Sequence, residues 1–249
     1  MTPTEPMGGL IDRGEGNREI VFLHGWCCHT RDFAPQVEAL SNHAHVVVVD
    51  WLDRLIARGG TCSFRDICED LARVVCEHGL AKPVLCGHSM GGFLATYLAK
   101  EEMVEHGGVL VLDSALPLPM TVRTQYLGFA VRLRRDDYEG VFRQFAADAF
   151  FSPREEGASS EAIVAGMLER PHAIAIDLLE EVCSLEFDES LARIRGPFHV
   201  VASEKGMLDL PALQTRIPTA TGERIAGAGH FITLFEATRV NAIANAFLG

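Results

Sequence analysis

Six residues, Gly87-His88-Ser89-Met90-Gly91-Gly92, constrain this chain more than any other stretch. They follow a short apolar run, Pro83 to Cys86, and open a segment with helical character. A strand that turns at once into a helix brings backbone against backbone. Small residues are needed two positions either side of the turn's central residue, here Ser89. The turn lifts that side chain above the edge of a sheet and sets it at a helix N-terminus. Free N–H groups and the helix dipole there favour developing negative charge. A plain glycine-rich connection or a phosphate-binding turn is the simpler alternative. The strand before and the helix after weigh against both.

The rest of the chain supplies the sheet such a turn requires. Glu19 to Leu23, His45 to Val49, Val109 to Leu112, Phe198 to Ala202 and Gly222 to Ile225 read as further short strands. The continuous apolar runs among them, such as His45 to Val49 and Val109 to Leu112, suit strands buried on both faces. Between them lie helical stripes: Phe33, Val37 and Leu40; Ile67, Leu71, Val74 and Val75, with Ser63 and Asp66 placed to cap; and Val240, Ile243, Ala244 and Phe247. This alternation predicts an α/β fold, a mainly parallel sheet flanked by helices. Leu116 to Arg195 interrupts it with helix-like stretches, among them Tyr138 to Ala147 and Ser160 to Leu168. Residues 1–115 and 196–249 therefore read as the core and 116–195 as a helical cap. The charged run Arg132 to Asp137 reads as a solvated face.

Composition limits what such a fold is for. The 249 residues are 48% hydrophobic, enough to bury a core without disulfides or metals. The net charge of −12 opposes binding to nucleic acid or anionic membranes, which reward clustered Lys and Arg. No apolar run reaches the roughly 18 residues that cross a bilayer. The N-terminus lacks the basic start and apolar stretch of a signal peptide, so a cytoplasmic location is expected. Seven cysteines with no C-x-x-C pair point away from a zinc or redox framework. Cys27, Cys28, Cys68, Cys76 and Cys86 are expected to pack as reduced, small hydrophobes. No cofactor and no metal is expected; the partner is a small-molecule substrate.

A serine hydroxyl is a weak nucleophile until a base takes its proton, and imidazole titrates near neutrality. Of the ten histidines, His230 is singled out by Gly227-Ala228-Gly229-His230-Phe231, which follows the last expected strand. His88 is held by the turn, His43, His45, His78 and His106 read as surface or strand-edge residues, and His24 reads as structural. Together His24-Gly25-Trp26, GHSMGG and GAGHF resemble the α/β-hydrolase superfamily over almost the full length. The resemblance implies Ser89 as nucleophile, His230 as base, and the backbone amides of Trp26 and Met90 as oxyanion-hole donors. It also implies an acid between Ser89 and His230.

Many relatives carry that acid in a Gly-x-x-Asp turn after the penultimate strand. Here the stretch reads Ala202-Ser203-Glu204-Lys205-Gly206, with Gly206 at the aspartate position. Asp113, directly after Val109 to Leu112, is the preferred acid, with Glu204 and Asp209 as alternatives. A second departure follows His45 to Val49, where Asp50-Trp51-Leu52-Asp53-Arg54 replaces the usual glycine turn. Asp50 and Asp53 read there as turn and capping residues.

The leading expectation is a serine-dependent hydrolase of a small carboxylic ester, lactone or similar acyl compound. His24-Gly25-Trp26-Cys27, Trp51 and Asp113 also partly resemble the cofactor-independent dioxygenases of 3-hydroxy-4-oxoquinolines. That resemblance implies a His–Asp pair acting as base on the ring hydroxyl. A small-molecule receptor that kept the triad is the third reading.

Overall fold

The computed structural model describes residues 9–59, 62–187 and 189–249, so the expectation drawn from the first eight residues lies outside it. A seven-stranded sheet is built from β1 (Leu10–Arg13), β2 (Glu19–Leu23), β3 (His45–Val49), β4 (Val84–His88), β5 (Gly108–Leu112), β6 (Phe198–Ala202) and β7 (Ala220–Arg224). Its order is β1-β3-β2-β4-β5-β6-β7. Only β1 runs antiparallel to its neighbour; the other pairings are parallel.

The apolar strands are buried on both faces, as their composition requires. Along β3, Val46 and Val48 join Phe33, Leu40 and Val240, while Val47 and Val49 join Trp51 and Leu71 on the other side. The same alternation splits Leu110 and Leu112 from Val109 and Val111. Helices α1 (Ala34–Leu40) and α11 (Ala237–Leu248) cover the first face. Helices α2 (Trp51–Ala57), α3 (Phe64–Glu77) and α4 (Met90–Lys100) lie on the second. Short helices α9 (Leu210–Gln214) and α10 (Ile232–Phe235) complete the core.

Three elements differ from the sequence reading. β7 begins two residues before the expected Gly222 to Ile225 and, as Ala-Thr-Gly-Glu-Arg, is only partly buried. β1 is an edge strand, partly exposed, and its Leu-Ile-Asp-Arg carries no apolar run. The segment after β3 is helix α2, not a turn, with Asp50 as the capping residue it was read as, accepting the Asp53 N–H at 2.9 Å. Cys76 is exposed, while Cys27, Cys28, Cys68 and Cys86 are buried.

Between β5 and β6 the chain forms α5 (Met120–Arg135), α6 (Tyr138–Ala149), α7 (Ala158–Leu168) and α8 (His172–Ser184). These helices are pinned to the loops at the C-terminal ends of the strands. The Trp26 indole donates to Ala175 O at 2.7 Å and stacks on Phe142 at 5.1 Å. Arg170, buried between α7 and α8, reaches Asp50 at 2.7 Å and Cys28 O at 2.6 Å, and also pairs with Asp53. Burial alone would raise the Asp50 carboxyl. His24 and Arg170 outweigh it and hold the group well below the usual carboxylate range.

Removing one member of a buried ion pair leaves the other charge uncompensated. Arg170→Ala is therefore expected to lose about 3–5 kcal/mol of unfolding free energy, read from urea denaturation. A loss under about 1 kcal/mol would show that Asp50 finds other compensation.

Candidate active site

Ser89 occupies the turn from β4 to α4 with φ +52° and ψ −119°, a conformation that costs a non-glycine residue about 1–3 kcal/mol. Its surroundings enforce that cost. The Ser89 N–H donates to Leu112 O at 2.8 Å, and Ser89 O accepts from Gly92 N at 2.9 Å and from the Ser114 hydroxyl at 2.5 Å. The flanking glycines are sterically required. A Cβ on Gly87 would lie 2.0 Å from Gly91 O, and one on Gly91 would lie 1.9 Å from Leu23 O.

Asp113 follows β5 with φ +50°, its N–H bonded to Val201 O at 2.7 Å. One carboxylate oxygen accepts the Ser203 N–H at 2.6 Å; the other lies 2.7 Å from His230 Nδ1. A carboxylate only accepts, so Nδ1 carries the proton and Nε2 is left as the acceptor. Burial alone would raise the Asp113 carboxyl. The hydrogen bond and charge of His230, with the Ser203 N–H, reverse that and hold it below its ordinary value.

The glycine at 206 now has a physical account. A Cβ there would sit 2.0 Å from Asp113 Oδ1, so the carboxylate from β5 fills the space a side chain at 206 would need. The alternative acids are engaged elsewhere. Glu204 accepts the Gly227 N–H at 2.8 Å, and Asp209 caps α9 through the Ala212 N–H at 3.0 Å.

Ser89, Asp113 and His230 line one cavity of about 270 Å³ together with Trp26 and Met90. Its remaining wall is mainly apolar, with Phe93, Val122, Phe145, Phe150, Leu179 and Val182 prominent. Met90 is the first residue of α4, so its N–H has no acceptor within the helix. Trp26 precedes Cys27, whose φ of +56° bends the loop back so that Cys28 N–H meets Gly25 O at 3.1 Å. Among the described residues, no group of three or more His, Cys, Asp and Glu side chains is arranged to hold a metal ion.

The other histidines and tryptophan named from the sequence serve the scaffold. His24 is fully buried, 2.9 Å from Gly25 O and 3.2 Å from Asp50, and stacked on Trp51. The Trp51 indole donates to His24 O at 2.9 Å, and Trp51 does not line the cavity. His88 donates Nε2–H to His230 O at 2.9 Å. Sequence reasoning missed Ser114, Ser203, Phe150, Glu155 and Arg170, each of which braces this region. Their partners are distant in sequence, 120 residues apart for Arg170 and Asp50, and no local pattern marks them.

The sheet order, the turn at Ser89 and the His230–Asp113 pair define an α/β-hydrolase architecture. The chain belongs to the alpha/beta hydrolase family, which it matches over residues 20–243. A pimeloyl-[acyl-carrier protein] methyl ester esterase of Xanthomonas axonopodis pv. citri is 30% identical, spanning 92% of this chain and 94% of that protein. The enzyme of the same name from Xanthomonas oryzae pv. oryzae is 28% identical over the same shares. Among solved structures, MenH from S. aureus superposes with a TM-score of 0.82 at 19% identity, covering 97% of this chain and 98% of that one. Est816, described as an N-acyl homoserine lactone degrading enzyme, gives 0.78 at 22% identity, covering 96% and 95%. At these identities the structures establish the fold. No helix among the described residues is long and apolar enough to cross a membrane.

His88 carries a pH signature. Burial, reinforced by His230, pushes its imidazole down to about 3. Between that value and about 6.5 the unfolded chain takes up a proton that the folded one refuses, so stability falls as pH drops. His88→Gln is expected to flatten this slope by up to about 1.4 kcal/mol per pH unit, measured by denaturant unfolding from pH 6.5 to 4. Equal slopes in the two proteins would show that the ring is not held neutral.

Proposed function

We propose that the chain hydrolyses a carboxylic ester through Ser89, His230 and Asp113. The observation that carries this reading is the 2.7 Å Asp113–His230 bond in the same cavity as a serine held in a strained strand-to-helix turn. Ser89 Oγ attacks the ester carbonyl while His230 Nε2 takes its proton, and Asp113 stabilises the imidazolium that results. The oxyanion is met by the Trp26 and Met90 amides. The imidazolium then protonates the departing alcohol, leaving an acyl-serine. A water molecule, deprotonated by His230, attacks that ester and releases the acid and free Ser89.

The apolar wall favours an alkyl acyl chain, and a volume of about 270 Å³ suits a short to medium one. The methyl ester esterases among the relatives support a small alcohol as leaving group. Residues 116–195 act as a cap over the core formed by 1–115 and 196–249, supplying the acyl wall. The dioxygenase reading shares the His–Asp pair. Trp51, one of the residues that suggested it, is buried against His24 away from the cavity and lends it no support.

Ser89→Ala is expected to lower turnover of nitrophenyl and methyl esters by about 10⁴-fold or more while leaving the fold intact. Retention of ester hydrolysis by a folded Ser89→Ala protein would overturn the mechanism. Oxygen uptake with 3-hydroxy-4-oxoquinolines, surviving in that variant, would move the assignment to the oxygenase.

Moving the acid tests its placement. Asp113→Ala is expected to cost about 10⁴-fold in kcat, and adding Gly206→Asp is expected to restore part of it, because losing the carboxylate relieves the 2.0 Å contact at 206 and leaves only the 2.9 and 3.0 Å contacts to Ser203 for the loop to absorb. Gly206→Asp alone should instead impair the enzyme. Near-normal activity of Asp113→Ala would exclude it as the acid.

A further inference from the structure

The segment that joins α6 to α7 grips the loop carrying His230. Phe150 O accepts the His230 N–H at 2.6 Å, and the Phe150 ring stacks on the imidazole with centroids 5.1 Å apart and planes 18° apart. Five residues on, the buried Glu155 bridges the two units. One of its oxygens accepts the Gly229 N–H at 2.9 Å and the other accepts the Ser152 N–H at 2.9 Å. The fit explains why glycine precedes the histidine. A Cβ at 229 would lie 2.0 Å from the Glu155 carboxylate and 2.7 Å from Phe150 O.

A carboxylate at 5% exposure is costly unless its acceptors are used. Here each oxygen takes one N–H, the first from the histidine loop and the second from the helical insert. An apolar residue could fill the volume, but it would leave both donors buried without a partner. Neighbouring contacts run the same way: Arg154 pairs with Glu236, and Phe151 stacks on Phe231 at 5.7 Å. Opening the insert from this side would therefore break the hydrogen bonds that set the backbone of residues 229 and 230.

We propose that Glu155 is a positioning residue for His230, fixing the imidazole over Ser89 and making its placement depend on the seated insert. The inference rests on the reading of His230 as the base. Misplacement of a catalytic group by about 1 Å costs on the order of 100-fold in rate, and that loss falls on the transition state, not on substrate binding.

The test compares Glu155→Ala with Glu155→Gln, which keeps the length and one carbonyl acceptor. Steady-state ester hydrolysis is measured alongside amide hydrogen exchange of Gly229 and His230. Glu155→Ala is expected to lower kcat by about 10- to 100-fold with KM within about twofold, and Glu155→Gln to recover part of the loss. Exchange at residues 229 and 230 should accelerate in Glu155→Ala while the strand amides of β4 and β5 stay protected. If Glu155→Ala does not fold, Glu155→Gln carries the comparison. Wild-type kcat in a folded variant, or a lower kcat without faster exchange at 229 and 230, would overturn the proposal. The parent reading is checked separately by Ser89→Ala. If that variant loses hydrolysis while the Glu155 variants keep wild-type kcat, the positioning role alone fails. If it keeps hydrolysis, both fail.

Discussion

The close approach of α4 to the ends of β2 and β4 governs the molecule. With no Cβ at residue 91, the helix backbone closes on Leu23, where one more carbon would lie 1.9 Å from the carbonyl oxygen. That contact forces the chain to turn within a single residue, and Ser89 takes the strain as a positive φ. Packing of β4 against β5 and the bond from Ser89 N–H to Leu112 O offset the cost. The same bond registers the serine against the end of β5, whose next residue is Asp113. One steric requirement thus sets both the serine turn and the register of the residue that follows β5.

The remaining parts reach this centre from far along the chain. The loop after β7 brings His230 to Asp113, with the His88 and Phe150 rings packed against it. The helices between β5 and β6 are fastened on two sides of the cavity. Arg170 and Trp26 tie them to the loop after β2; Glu155 and Phe150 tie them to the histidine loop. Both attachments use buried polar groups whose partners lie across the contact. These helices are consequently specified in position, where an apolar interface of similar size would tolerate sliding.

Legibility in the sequence followed physical locality. β3 and β6 were readable to the residue because buried parallel strands need continuous apolar runs, and the turn at Ser89 because its glycines are forced by contacts within a few positions. β1 escaped notice: an edge strand needs little apolar character, and its pairing with β3 is what makes it a strand. Helix α2 was hidden because Asp50 and Asp53 carry turn chemistry, and Asp50 proved to be the cap of a helix instead of part of an isolated turn. Ser89, His230 and Asp113, which line one cavity, were nameable from motif and chain order, with Gly206 marking the departure from the family's usual aspartate position. Why residue 206 is glycine required coordinates, since the occupying carboxylate comes from another strand. The tie from Glu155 to the histidine loop left no signal, its partner Gly229 being 74 residues away.

Ser89 is proposed as a nucleophile made reactive by the His230–Asp113 pair. The most direct measurement is intact and peptide mass spectrometry after exposure to a fluorophosphonate. Such a reagent is attacked by an activated serine oxygen, which displaces fluoride and leaves a stable phosphonyl ester. One adduct per chain is expected, located at Ser89 and suppressed in a folded His230→Ala protein. Absence of an adduct, an adduct on another residue, or equal labelling without His230 would contradict that proposal.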